Sequence, residues 1–489
     1  MGVPPGYDVL RLAKGHHVAL PLMIAHQCGQ AFRWKQVAVS NIIEWSLCLR
    51  DRIVFLQQDD ASGCLYYRTM TETSKHTDDS IAERNIDLNY TTRLWLQDYL
   101  SLNTPTNAWY AEWCERDPIF AKHAQRFAGV NMLRQDPWEC MCAFICSSNN
   151  NIPRISQMVH KLCDHFTEPL GYYTYPKGAY LRRSIDPDEK HEVPVIEPLT
   201  LTYHPFPTPT QLAQPDVEAR LRELGFGYRA RFIAGAAQTL CKRAHDSLGS
   251  DANSFQINAA VDMYLASLRK MSYYDARDEL IQLPGIGPKV ADCILLMSLD
   301  QPSSIPVDRH VFQFAERWYG IRSKRYEDIA DRLREIWGDR AGWAHSVLFY
   351  ADLPSMNRYV APIKYKGVLL KEEEAHEQSK QEGENSENLS SNVSMMIKQE
   401  AGHFSKLFAF TDPPPPRIQE KKVIRGKQDS FVSQHEAPIA EYSATSFSKY
   451  DKLPGHANTW QECRNDVQLP LASDALQETK MRHPKRRRA

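Results

Sequence analysis

No apolar run among the 489 residues comes near the roughly 20 needed to cross a bilayer. The start, MGVPPG, carries neither a charged-then-apolar leader nor the Ser or Thr of a myristoylation site. A membrane-spanning or exported chain is therefore not expected, and the reading is a soluble intracellular protein. Net charge is also lacking. At −1 the composition offers no overall basic field, so any hold on nucleic acid must come from a local patch. Eleven cysteines are present without the dense, even spacing of a disulfide framework. Cys140, Cys142 and Cys146 crowd one stretch, and a metal site has to be considered there. They read as small residues packed inside a helix, and no metal is expected. Internal repeats are lacking too. What the chain does have is apolar and aromatic mass, 42% and 10%, enough for at least one large core.

Three regimes follow one another. Residues 18–70 hold β-rich pieces such as AFRWKQV, WSLCLR and RIVFLQQ between polar turns, which predicts antiparallel strands. Residues 131–353 place apolar side chains at three- and four-residue intervals, which predicts helices. A Pro-rich interruption over 172–200 is long for a connection in a compact domain and is expected to run over the surface. Beyond residue 370 the chain turns polar, with a four-proline run at 413–416, and is expected to be disordered. It closes on PKRRRA, a basic cluster that suits nuclear import or additional DNA contact. The division drawn is an antiparallel α+β domain over 1–130, an all-α domain over 131–360 and a tail over 361–489.

LPGIGPKVAD, residues 283–292, concentrates the chemistry. One helix ends at 280–283, Pro284-Gly285-Ile286-Gly287 turns, and a second helix begins at Lys289. Glycines permit a sharp turn with outward N–H groups, and a helix N-terminus adds positive potential, so Gly285 and Gly287 suit a phosphate oxygen. A helix-hairpin-helix grips a DNA backbone without reading bases, although a plain turn between packed helices has the same signature. Lys289, part-buried at a positive helix end, is expected to have a lowered pKa and a share of neutral amine. Such an amine can attack a sugar C1′ and form a Schiff base. Nineteen residues on, Asp308 stands before an amphipathic helix in IPVDRHVFQFAERW. There it predicts an N-cap, and a carboxylate able to stabilise positive charge on a deoxyribose as its base departs.

These segments resemble the helix-hairpin-helix DNA glycosylase superfamily, in its 8-oxoguanine DNA glycosylase/AP lyase branch. CGQAFRW (28–34), FICSSNNNIPRI (144–155), LGFGYRARF (224–232) and AGWAHSVLFYADL (341–353) extend the resemblance, in order, over about residues 20–355. The fold it implies is α+β: a TBP-like antiparallel β domain packed on an all-α helix-hairpin-helix glycosylase domain. The resemblance makes Lys289 the nucleophile and Asp308 its partner in base loss. Cys293 and Phe349 would sandwich the extruded base, each four residues from a partner, Lys289 and His345, on one helix face. Gly29 would offer its carbonyl to N7–H of the oxidised base, where undamaged guanine has a lone pair. Asn149, Arg154 and Arg229 would read the orphaned cytosine, Tyr228 would wedge the stack, and His310 would touch a phosphate.

One position departs from the family pattern. His345 stands where glutamine is usual, which leaves the choice among oxidised purines less secure. If protonated it has no acceptor, so excision is expected to weaken as pH falls through about 6.5. The implied activity is excision of 8-oxoguanine opposite cytosine through a lysine imine, then strand cleavage by β-elimination. A monofunctional glycosylase for alkylated or mismatched bases is the alternative, against which Lys289 argues. An endonuclease III-type enzyme would commonly carry a four-cysteine iron–sulfur loop, whereas only Cys463 follows Asp308. A non-enzymatic helix-hairpin-helix protein would bind DNA without needing Lys289. No organic cofactor is implied. The expected partner is double-stranded DNA containing oxidised guanine, engaged by a monomer away from membranes. The expected compartment is the nucleus, with the mitochondrion as the alternative.

Overall fold

The computed structural model describes residues 3–13, 18–25, 28–40, 42–59, 62–71, 80–182, 197–249, 251–356 and 359. The tail expected over 361–489, with its basic end, lies outside the described residues, as does 183–196 within the expected surface excursion.

Strands β1 (Asp8–Arg11), β2 (Lys35–Val39), β3 (Ile42–Cys48), β4 (Ile53–Asp59) and β5 (Cys64–Met70) form an antiparallel sheet in the order β1-β5-β4-β3-β2. Period-2 alternation explains β4, whose opening IVFL is buried throughout. Val54 and Leu56 point into one apolar cluster, and Ile53 and Phe55 into another on the opposite face. A strand covered on both sides can be apolar at every position.

The second cover comes from the Pro-rich interruption, and this corrects the expectation of a surface excursion. β6 (Gly171–Tyr175) pairs antiparallel with β8 (Leu199–Tyr203), while β7 (Tyr180–Arg182) joins the large sheet beside β2 as its sixth strand. Tyr175 and Tyr203 are buried against Phe55 and Ile53. Prolines end these short strands without excluding them.

The helices are α1 (Leu20–Ile24), α2 (Ser80–Tyr99), α3 (Thr106–Arg116), α4 (Pro118–Ala124), α5 (Pro137–Cys146), α6 (Ile152–Phe166), α7 (Pro209–Leu212), α8 (Val217–Glu223), α9 (Arg229–Leu248), α10 (Ser254–Ser267), α11 (Tyr273–Ile281), α12 (Pro288–Ser298), α13 (Arg309–Tyr319), α14 (Tyr326–Trp337) and α15 (Ala341–Asp352). The α+β architecture expected from the sequence is the one adopted. Cys140, Cys142 and Cys146 are buried inside α5, as read.

Two helical cores result. One is built around α5, α6, α9 and α12. In the other, α13 to α15 pack against the N-terminal sheet and α3–α4. Arg33, just before β2, ties the N-terminal sheet to α5: it donates two hydrogen bonds to Glu139, at 2.8 and 2.6 Å, and one to the Cys48 carbonyl at 2.8 Å.

Candidate active site

The hairpin forms where the glycines stand. α11 stops at Ile281, α12 starts at Pro288, and Gly285 between them has φ +84. A Cβ on Gly285 would lie 2.4 Å from Phe232 Cβ on α9, so both backbone and space require glycine there. Gly287 is the N-cap of α12 in extended backbone, exposed and with nothing near its missing Cβ. It leaves the helix entrance open.

Lys289, in the first turn of α12, is half-buried. Its Nζ donates to Ser147 Oγ at 3.2 Å and lies 5.3 Å from the Phe144 ring centroid. One turn on, Cys293 acts on the amine by charge, and so does Asp308. Burial works to lower the lysine pKa, but the Cys293 sulfur and the Asp308 carboxylate raise it, and the net direction is upward. This corrects the expected lowering. Burial pushes the Cys293 thiol up to about 11 against the pull of Lys289. At neutral pH the pair is thus thiol and ammonium, with Asp308 as the charge that holds the proton on the amine.

Asp308 is the N-cap of α13 as the sequence predicts. Its Oδ1 accepts from the N–H of His310 at 2.9 Å and of Val311 at 3.0 Å. One oxygen makes the whole cap, and the other is left over for the site. His310 Nδ1 lies 3.3 Å from Asp352 Oδ2, and its ring stands edge-on to Phe349 at 5.9 Å.

Phe349 and His345 are neighbours on α15, with ring centroids 6.1 Å apart. A Cβ on Gly29 would lie 3.8 Å from Phe349 Cε1, so the Gly29 backbone borders the same space. At φ +79 that backbone is one that only glycine adopts freely. His345 is 4% exposed, and neither ring nitrogen has a hydrogen-bond partner. The Gly342 carbonyl acts on the ring electrostatically without reaching hydrogen-bond geometry. Such unmet buried nitrogens cost about 1–3 kcal/mol each. Burial pulls the His345 pKa down to about 4, with Asp308 opposing and Lys289 reinforcing. The ring titration expected near 6.5 is corrected to that lower value, because burial holds the imidazole neutral across the physiological range.

The residues proposed to handle the opposite strand also meet. Gly225 and Gly227, both with positive φ, make the turn that lifts Tyr228 to 47% exposure. The Ser148 carbonyl accepts from Tyr228 OH at 2.8 Å and from Arg229 Nε at 3.0 Å. Arg229 Nη2 donates to the Asn149 carbonyl at 2.9 Å, and Asn149 itself is left-handed at φ +47. Arg154 Nη2 reaches the Gly225 carbonyl at 3.3 Å. As plain structure, Arg229 reads as part of a solvated face; it is buried instead, holding the 148–149 loop. Ser147 joins this cluster to Lys289.

Three positions escaped the sequence reading. Ser147 receives the lysine. Gln30 fixes the loop beside Gly29, accepting from Leu133 N–H at 2.9 Å and donating to the Asn131 carbonyl at 3.1 Å and Tyr350 OH at 2.7 Å. Asp292, fully buried, accepts from Tyr273 OH at 2.8 Å and Ser304 Oγ at 3.0 Å, and faces Arg277 Nε at 3.5 Å. Only adjacency to Gly29 and to Lys289 could have drawn attention to the last two. Far from the lysine, a cavity of about 280 Å³ opens at the other end of α12, between Met297, Trp109 and Trp343.

Residues 12–141 match the family described as 8-oxoguanine DNA glycosylase, N-terminal domain, and residues 142–339 match HhH-GPD superfamily base excision DNA repair protein. The chain is 32% identical over 350 residues to N-glycosylase/DNA lyase OGG1 of Arabidopsis thaliana, covering 69% of this chain and 79% of that one. The chain belongs to the N-glycosylase/DNA lyase family. The N-glycosylase/DNA lyase of Saccharomyces cerevisiae is 31% identical over 67% of this chain and 82% of its own length. Clostridium acetobutylicum 8-oxoguanine glycosylase/lyase, solved in complex with dsDNA containing cytosine opposite to 8-oxoG, shares the fold. There the TM-score is 0.50 and the identity 22%, over 72% of this chain and 96% of that one. Membership of the N-glycosylase/DNA lyase family makes this a DNA-binding enzyme of the glycosylase and lyase class.

Proposed function

We propose that this enzyme excises 8-oxoguanine, with related oxidised purines, from opposite cytosine in duplex DNA, and then nicks the abasic strand by β-elimination. The observation that carries the reading is the position of Lys289 in the first turn of α12, one turn before Cys293, with the α13-capping carboxylate of Asp308 acting on it by charge. It joins a nucleophile, an apolar stacking surface and a stabilising carboxylate.

The extruded base lies between Cys293 and Phe349, and Gly29 offers its carbonyl to N7–H of the lesion. Normal guanine opposes that carbonyl with a lone pair. Lys289 gives up its proton, and the freed lone pair attacks C1′. The C1′–N bond breaks with its electrons on the base, which gains a proton as it leaves, so proton loss and gain balance. Asp308 stabilises the positive charge that develops on the sugar. The sugar ring then opens to an imine on Lys289. Loss of a C2′ proton expels the 3′ phosphate, and water releases the amine. Tyr228 fills the vacated stack. Arg154 and Arg229 turn from backbone carbonyls to the orphaned cytosine, and Asn149 joins them there.

The test is borohydride trapping on duplexes carrying 8-oxoguanine opposite each of the four bases. We expect a covalent adduct, strongest opposite cytosine, that Lys289→Gln abolishes. An adduct that survives in Lys289→Gln, or base release with no adduct and no strand cleavage, would overturn the proposal.

A further inference from the structure

The helix cap holds the Asp308 carboxylate to its own turn of α13, but the backbone that carries it needs a second anchor. Residues 304–307 form the irregular lead into that helix. Pro306 has no N–H, so the only backbone donor between Ile305 and Asp308 is Val307 N–H. It donates to the hydroxyl of Tyr326, the first residue of α14, at 3.1 Å. The same hydroxyl donates to Asp292 Oδ2, on α12 one turn beyond Lys289 and directly before Cys293. The Ile305 carbonyl also lies within reach of the phenol, at 3.2 Å, but a carboxylate is the stronger acceptor. Burial beside Asp292 pushes the Tyr326 phenol well above its usual range, so it stays a donor.

Asp292 is itself held still. It is fully buried and accepts from Tyr273 OH at 2.8 Å and Ser304 Oγ at 3.0 Å. Val307 belongs to one apolar cluster, and Ala291 and Cys293, which flank Asp292, belong to the other. Tyr326 is therefore a polar strut between the helix that carries the amine and the segment that carries the carboxylate. We infer, on the glycosylase reading above, that Tyr326 is a positioning residue for base loss, its hydroxyl setting the Asp308 carboxylate against Lys289. Removing that hydroxyl strips Val307 N–H and Asp292 Oδ2 of a partner at once. A misplacement of about 1 Å costs on the order of 10² in rate. The loss falls on departure of the base, where Asp308 stabilises charge on the sugar. Imine formation on a sugar already without its base asks only for the Lys289 amine.

The test is single-turnover base release from 8-oxoguanine opposite cytosine by the full chain, as wild type, Tyr326→Phe, Asp308→Asn and the double variant. Borohydride trapping on a preformed abasic duplex is the second readout. Tyr326→Phe should slow base release about tenfold or more. Its abasic trapping should stay within about twofold of wild type, and in the Asp308→Asn background it should change base release by less than about twofold. A merely structural tyrosine would lower both readouts together, and by the same factor in both backgrounds. Either of those results, or unchanged base release in Tyr326→Phe, overturns the inference. Should Tyr326→Phe melt below the assay temperature, Asp292→Asn takes its place, since it keeps the shape and removes the charge that orients the hydroxyl, and the same ratios decide. Absence of any trapped adduct between the wild-type chain and 8-oxoguanine opposite cytosine would instead defeat the glycosylase reading itself.

Discussion

At the scale of single residues, the two hairpin glycines are unequal. Gly285 combines φ +84 with a contact that a Cβ would violate, whereas Gly287 has extended backbone and open space. Gly285→Ala should cost about 3 kcal/mol in urea unfolding, and Gly287→Ala less than about 1 kcal/mol. Equal costs would mean that Phe232 yields freely. His345 makes a pH prediction. The folded chain holds it neutral, with a pKa near 4, against 6.5 when unfolded. Between those values the unfolded chain takes up the proton first, so stability is lost as pH falls from 6.5 to about 4 and no further below. The drop corresponds to about 3 kcal/mol. His345→Gln should flatten this part of the stability profile, and parallel profiles would show that the ring is not held neutral. The sequence marked this residue as the exception, but burial, which decides its charge, comes from contacts that no local pattern displays.

Asp308 shows how an element can serve two ends. One oxygen caps α13, and the charge acts on Lys289. Asn caps as well as Asp, so Asp308→Asn should leave the melting temperature within a degree or two while slowing excision about a hundredfold. Asp308→Ala should lose about 1 kcal/mol of stability in addition. If Asp308→Asn excised at the wild-type rate, the carboxylate would be a cap and nothing more. The hairpin, the cap and the helix-face pairs were legible because each is settled within a few residues of chain. Ser147 and Gln30 were not, since their partners lie 142 and up to 320 residues away. The lysine's protonation was misread because helix position argued for a lowered pKa, whereas Cys293 one turn on, and then Asp308, which the fold brings in, raise it.

Across the described residues, the two helical cores do not follow chain order. α13 to α15 pack with the N-terminal sheet, and β7 crosses back to extend it. A composition reading sees where strands give way to helices, but not which helices return to the sheet. The Arg33–Glu139 pair fastens the sheet to the other core with Arg33 almost wholly buried. Glu139→Ala should cost about 3 kcal/mol by stranding that guanidinium, measured as a lower urea midpoint. Unchanged stability would mean that the Cys48 and His204 carbonyls satisfy it without Glu139. Cys293 belongs to one apolar cluster and Phe349 packs on the other, so in the proposed mechanism the two surfaces against the base are carried by different clusters. The gap between them is therefore set by how those clusters pack against each other. A substitution deep in either one, touching neither nucleic acid nor lysine, will blunt turnover before it melts the protein.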